Sequence, residues 1–204
     1  MNGGATAERV YHALKRQILN RAFQPGDRLE PAMLAEQLSS SVTPIRDALH
    51  LLAGEGLVRT RTGDGFHLPA LHEPGLNDLY AWTCEVLLVA IRGWPAEARK
   101  CATTPHLADQ LADQASELFT NIAARSDNSE HLPAISSLNA RLHPVRLVEP
   151  QVLADVPSEM AAIESSLNAA DRRTLARLIT AYYRRRRRHA AELVRAVYRA
   201  APGS

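Results

Sequence analysis

Cysteine, aromatic side chains, excess charge and long apolar runs are all scarce in this chain. Its 204 residues hold two cysteines, Cys84 and Cys101, with no C-x-x-C spacing, which excludes a disulfide framework and a thiolate zinc cluster. Both are expected to be small core residues of a reducing compartment. Aromatic residues make up only 5%, while alanine and leucine are plentiful, which favours packed helices over sheets. The net charge is +2, and the first 71 residues carry 8 basic against 7 acidic side chains, so any nucleic-acid contact must come from a local patch rather than from bulk charge. The longest apolar stretch, residues 86–91, is too short to cross a bilayer, and the N-terminus lacks an apolar signal core. The expectation is a cytoplasmic protein with no membrane partner. No Ser-His-Asp set, nucleophile elbow or phosphate-binding glycine loop is present, and no carboxylate pair stands out, so no enzymatic activity and no cofactor are expected.

What is present is a run of short helical patterns closed by a glycine-rich turn. Val10, Leu14 and Ile18 lie at helical spacing over residues 8–20. Gln24-Pro25-Gly26-Asp27 marks a turn. A second helix is predicted over 31–38 with Pro31 in its first turn, and a third over 43–53, capped by Ser41 or Thr43 with Pro44 early in it. Residues 57–62 and 66–68 read as two strands around Gly63-Asp64-Gly65, a strong hairpin signal. The prolines and glycine of 69–75 suggest a boundary, dividing the chain into domain 1–70, linker 71–75 and domain 76–204.

The second domain reads as helices throughout. One is predicted over 76–91, another from a Thr104 cap with Pro105 and an apolar stripe of Leu107, Leu111, Ala115, Leu118 and Ile122. Others follow over 136–148 and 157–167, and the last and longest starts at an Asp171 cap and runs past Val197. The fold class expected is mainly α: an N-terminal winged helix-turn-helix followed by an all-α bundle.

In the third helix Ile45, Ala48, Leu49 and Leu52 share one face, while Thr43, Arg46, Asp47 and His50 share the opposite one. An arginine in the first turns of such a helix can donate two hydrogen bonds to guanine O6 and N7, giving about 1–3 kcal/mol of base discrimination. Ser41 and Thr43 are placed to donate to phosphates at the helix N-terminus. Arg59, Gly65 and His67 belong to the hairpin, whose arginines and histidine are expected to reach phosphate or the minor groove. The ordinary alternative for Arg46 is a solvated arginine paired with Asp47 or Glu55.

Residues 8–70 resemble the winged-helix domain of the GntR family of bacterial transcription regulators. The likeness lies in Pro25-Gly26-Asp27-Arg28-Leu29, Leu34-Ala35-Glu36-Gln37-Leu38, Ser41-Val42-Thr43-Pro44-Ile45-Arg46-Asp47-Ala48-Leu49, Glu55-Gly56-Leu57-Val58 and Gly63-Asp64-Gly65. The resemblance implies binding to a partly palindromic double-stranded DNA operator as a homodimer, usually as a repressor. Two usual arginines are replaced, by Val42 and Ala32, which implies weaker binding or a different operator, with the Val42 methyl groups available to thymine. The usual Gly-Val before Ser41 is Ser39-Ser40, expected to be a mild change.

Residues 76–200 resemble the ligand-binding domain of the FadR subfamily more faintly. That resemblance implies a small carboxylate-type effector beside a metal held by one Asp and three His. The matching positions here are Asn139, His143, Met160 and Tyr182, of which one retains a ligand, so no metal is expected. A second register would use Asp127 and His131. The ordinary alternative for His143 is a capped or solvated histidine. The connection between His143 and Met160 is shorter than the family pattern implies, suggesting a reduced helix. Five arginines, residues 184–188, surround the final helix, so some must lie along apolar neighbours or pair with Glu149, Glu159 or Glu164. Beside the regulator reading stands a regulator-derived interaction scaffold that has lost specific DNA binding.

Overall fold

The computed structural model describes residues 3–61, 63–95 and 110–200. Contacts divide the chain into two units, Met1–Leu71 with Tyr198–Ser204, and His72–Val197.

The first unit holds α1 (Gly3–Leu19), β1 (Arg28–Leu29), α2 (Pro31–Gln37), α3 (Val42–Gly54), β2 (Arg59–Arg61) and β3 (Gly65–His67). Helical periodicity explains α1: Val10, Leu14 and Ile18 all point inward. α3 packs on both α1 and α2, with Ile45, Ala48, Leu49 and Leu52 essentially sealed. Full burial of such aliphatic side chains contributes about 1.5–3 kcal/mol each, so this face anchors the unit.

The turn between α2 and α3 ends α2 through two reverse contacts. Ser39 N donates to Glu36 O at 3.2 Å and Ser40 N to Ala35 O at 2.9 Å. That pairing requires a left-handed residue just past the helix end, and Ser39 takes it at φ +47°. The Ser39-Ser40 change is therefore not mild, because a side chain occupies a conformation that favours glycine.

The sheet was only partly visible in the sequence. Two strands were expected, and the structure adds β1 in the order β1-β3-β2, with antiparallel registers Arg28↔His67 and Arg59↔His67. β3 is thus the central strand. Residues 198–200 also belong to this unit: Tyr198 hydroxyl accepts from Leu71 N and donates to Leu71 O, both at 3.1 Å, and Arg21 Nη2 donates to Ala200 O at 3.0 Å. The domain placed over 76–204 thus differs at both ends, since its last residues group with the first unit and its first helix starts earlier.

The second unit comprises α4 (Glu73–Arg92), α5 (Leu111–Ala124), α6 (His131–Arg146), α7 (Val156–Asn168), α8 (Arg172–Arg188) and most of α9 (Ala190–Arg199). α4 begins inside the stretch read as a linker, because His72 caps it by accepting from Gly75 N at 3.0 Å. Between α6 and α7 there is only a 3-10 turn over Glu149–Gln151, which matches the shortened connection. Asp171 caps α8 by accepting from Thr174 N at 3.0 Å. The expected single last helix is two, broken at His189, where no proline or glycine marks the break. Cys84 is half-buried, and burial, with Glu85 nearby, raises its thiol pKa. Cys101, Thr104, Pro105 and Leu107 lie outside the described residues.

Candidate nucleic-acid interface

The α3 N-terminus is open. Ser41 occupies the cap position by its backbone, but its side chain makes no capping hydrogen bond. The capping expected of Ser41 or Thr43 is therefore not what starts this helix. The first amides of α3 and the exposed hydroxyls of Ser41 and Thr43 remain available to an anion, as suits a helix N-terminus at a phosphate.

Beyond that end, Arg46, Asp47 and His50 are exposed along one side of α3, with Val42 exposed at its start. Arg46 has no ion pair or hydrogen bond among the described residues. Its suggested partner Glu55 is taken by α1, with Lys15 Nζ 2.7 Å from Oε2 and the Tyr11 hydroxyl on Oε1. Burial works against the charge of Lys15, but its hydrogen bonds to Glu55 and Tyr11 and the nearby Glu55 charge together outweigh it, so its pKa is raised. His50 sets its ring edge-on to Phe66 of β3, with centroids 4.9 Å apart, which fixes the hairpin beside α3.

The hairpin turns at Gly63 and Gly65, both with φ near +80° (+78° and +79°). Arg59 and Arg61 are exposed, as expected. His67 is not: it is 5% exposed, with Nε2 3.3 Å from Asp64 Oδ2. The expectation that His67 reaches DNA is corrected. Its strand is central in the sheet, flanked on both sides, so its ring is enclosed rather than presented. Sequence reading missed Arg28, which β1 places on the opposite edge of the sheet from Arg59, across His67. Arg28 Nη1 and Arg61 Nη1 each lie 3.8 Å from an oxygen of Asp64, and Arg28 Nε lies 2.6 Å from Glu30 Oε1. A two-residue strand leaves no alternation to detect, so no sequence signal pointed to it.

In the second unit, all four positions named for an effector are buried. Asn139 Nδ2 donates to Ser116 O at 2.9 Å and to Thr120 Oγ1 at 3.2 Å, and its Oδ1 accepts from Arg146 Nη1 at 3.0 Å. His143 is neither capped nor solvated; it is enclosed, with Nε2 2.9 Å from Asp113 Oδ1. Met160 lies in the core, and Tyr182 lies under Arg186, whose Cζ is 3.2 Å from the ring centroid. Asp127 and His131 do not form a metal pair: Asp127 precedes α6, and His131 Nδ1 lies 2.7 Å from Ser126 Oγ. Among the described residues no group of three or more His, Cys, Asp or Glu side chains is arranged to hold a metal.

Two helices at a turn, an exposed second helix and a three-stranded wing define the winged helix-turn-helix class of DNA-binding domain. Residues 6–68 match the family described as "Bacterial regulatory proteins, gntR family", so this domain is of the GntR kind. The chain is 34% identical over 70 residues to the uncharacterized HTH-type transcriptional regulator YdhC of Bacillus subtilis, covering 34% of this chain and 31% of that protein. It is 28% identical over 134 residues to an uncharacterized HTH-type transcriptional regulator of Agrobacterium vitis, covering 66% of this chain and 74% of that one. A putative GntR transcriptional regulator from Rhodococcus sp. RHA1 superposes with TM-score 0.71 at 17% identity, over 91% of this chain and 97% of that one. That likeness establishes the fold, an N-terminal helix-turn-helix with a helical C-terminal domain. The match to YdhC thus spans less than a third of its length, and the relatives are named as regulators, not enzymes. Among the described residues no helix is long and apolar enough to cross a membrane.

Proposed function

We propose that this protein is a sequence-specific DNA-binding transcription regulator that acts as a homodimeric repressor on a partly palindromic operator. The observation that carries the reading is the two-sided α3. Its apolar face is sealed against α1 and α2, and its other face offers Ser41, Thr43, Arg46 and His50 to solvent beside the wing. Arg46 reads guanine, the hydroxyls hold phosphate, and Arg28, Arg59 and Arg61 supply backbone charge.

Dimerisation suits the two-fold symmetry of an operator. It is supported by α4, where Trp82 and Val89, seven residues apart on one face, are 59% and 40% exposed. A second copy covering that face would remove the aromatic surface from water. An effector in the helical unit acts by binding one arrangement of the two DNA-binding heads better than the other.

The test is a gel shift against DNA upstream of the protein's own gene, with the mass of the free protein measured by sedimentation. Steep loss of binding with added salt is expected, together with a dimer mass. Binding that ignores salt and sequence, or a monomer at operator-binding concentrations, refutes the reading.

A further inference from the structure

α8 carries eight arginines and no acid, and the fold uses only some of them. Arg186 is sealed in the interior, donating from Nε and Nη2 to Glu149 and from Nη1 to Glu159. Arg185 is half-buried, with Nη1 3.7 Å from Glu159 Oε2 and Nη2 donating to Ala154 O. Arg172 Nη2 donates to Pro95 O. These three are committed to structure. Arg173, Arg177, Arg184, Arg187 and Arg188 are exposed, and their side chains make no hydrogen bond or ion pair among the described residues. Arg177 acts electrostatically on Asp171, but that carboxylate is already engaged as the cap of the helix.

The five share one face. At 3.6 residues per turn, positions 173, 177, 184, 187 and 188 fall within an arc of about 100°, and they run about 22 Å along the axis. Thr180 is exposed in the same arc, and the half-buried Ala176 and Ala181 border it. No large apolar side chain is exposed on α8. That composition selects the partner. A membrane surface needs an apolar face to bury beside the cations, and single-stranded nucleic acid needs exposed rings to stack on. Guanidinium groups pair bidentately with phosphate, and the small side chains between them let a backbone come close. A duplex carries one charge per about 1.7 Å of axis, so the arc meets more phosphates than it has arginines. In the wing, by contrast, Arg28 and Arg61 are held by Asp64 and Glu30.

We propose that the exposed face of α8 is a second, sequence-independent surface for double-stranded DNA, with its five arginines on backbone phosphates. Contacts of that kind add affinity without reading bases. Sequence choice then belongs to α3, while α8 adds strength that fades with salt. The proposal rests on the regulator reading only for the choice of DNA over another polyanion, since α3 brings a duplex to the molecule.

Fluorescence anisotropy of the full chain on a labelled random-sequence duplex, over a series of salt concentrations, tests the surface. Arg177→Gln, Arg184→Gln and Arg188→Gln are combined, with Arg185 and Arg186 left in place. The triple variant is expected to keep the wild-type urea midpoint, because these side chains touch nothing. Its affinity at low salt is expected to fall at least about tenfold, and its slope of log affinity against log salt to flatten by about 0.9 per lost contact. Lysine at the same three positions is expected to restore the slope, because it restores the charge. The unpaired strand, and polyglutamate as an acidic-protein probe, are expected to bind several-fold more weakly than the duplex. The proposal is overturned if the wild type ignores the random duplex at low salt, or if the glutamine variant matches wild type in affinity and slope. It is equally overturned if the single strand or polyglutamate binds as tightly as the duplex. A gel shift without preference for the upstream DNA would remove the regulator reading and leave these results standing.

Discussion

Glu149 receives two hydrogen bonds from Arg186 across the interior of the helical unit, from Nε at 3.0 Å and Nη2 at 2.7 Å, with both side chains almost wholly out of water. Burial opposes the arginine charge, but Tyr182, then Glu149 and Glu159, more than offset it, so the guanidinium pKa lies above its usual range. Glu149→Gln leaves that cation under-compensated and is expected to destabilise the protein by about 3 kcal/mol in urea unfolding. Glu73→Gln, at the exposed start of α4, is expected to change it by less than about 0.5 kcal/mol. Equal small effects of the two would mean that the pair contributes little.

Adjacent residues of α3 are expected to separate binding from stability. Arg46→Ala should lose about 1–3 kcal/mol of operator affinity and relax base preference, with unfolding nearly unchanged. Ile45→Ala should cost about 2–5 kcal/mol of stability, because the side chain is fully buried. Measuring both by operator titration and urea midpoint checks the assignment, and an Arg46→Ala variant that binds like wild type removes it.

Asp64 holds back Arg61 of the wing, while Arg28 is shared between Asp64 and Glu30. Asp64→Ala frees Arg61 and leaves Arg28 on Glu30 alone, so DNA binding should tighten at low salt. The slope of log affinity against log salt should steepen by up to about 0.9 for each new phosphate contact. His67→Ala, by contrast, should lower the unfolding midpoint and leave that slope unchanged, since the ring is enclosed.

Ser39 occupies a glycine conformation at φ +47°. Ser39→Gly should stabilise the helix-turn-helix unit by up to about 1 kcal/mol, by relieving a left-handed side chain at the end of α2. Calorimetric melting reads this directly, and a lower melting temperature would contradict it.

Alkaline pH should unfold the helical unit through its tyrosines. Burial raises the Tyr182 phenol from 10.0 to about 12, and burial likewise raises Tyr80 and Tyr183. A raised folded pKa means that the unfolded chain loses its proton first. The stabilisation is therefore complete below pH 10 and is lost as pH climbs towards 12, by about 1.4 kcal/mol per pH unit for each tyrosine. Urea midpoints at successive pH values, with phenolate absorbance, follow it; a flat profile above pH 10 would show that these hydroxyls titrate normally.

Most of the DNA-binding head was legible in the sequence because its signals are local. The spacing of Ile45, Ala48, Leu49 and Leu52 determines which side of α3 faces inward, and hence that Arg46 faces out. Gly63-Asp64-Gly65 determines a hairpin, and Asp171 the start of α8. Pairing of the 184–188 arginines with Glu149 and Glu159 was also foreseeable, since five in a row cannot all face water. What only the tertiary structure decided depends on partners far away in the chain. β1 makes β3 central and encloses His67, α8 breaks at His189 without a local breaker, and Arg146 is buried beside Ser116 and Asn139 with no acid of its own. Periodicity reports which way a side chain points from its own helix or strand, but burial and charge compensation are set by whatever that side chain meets there.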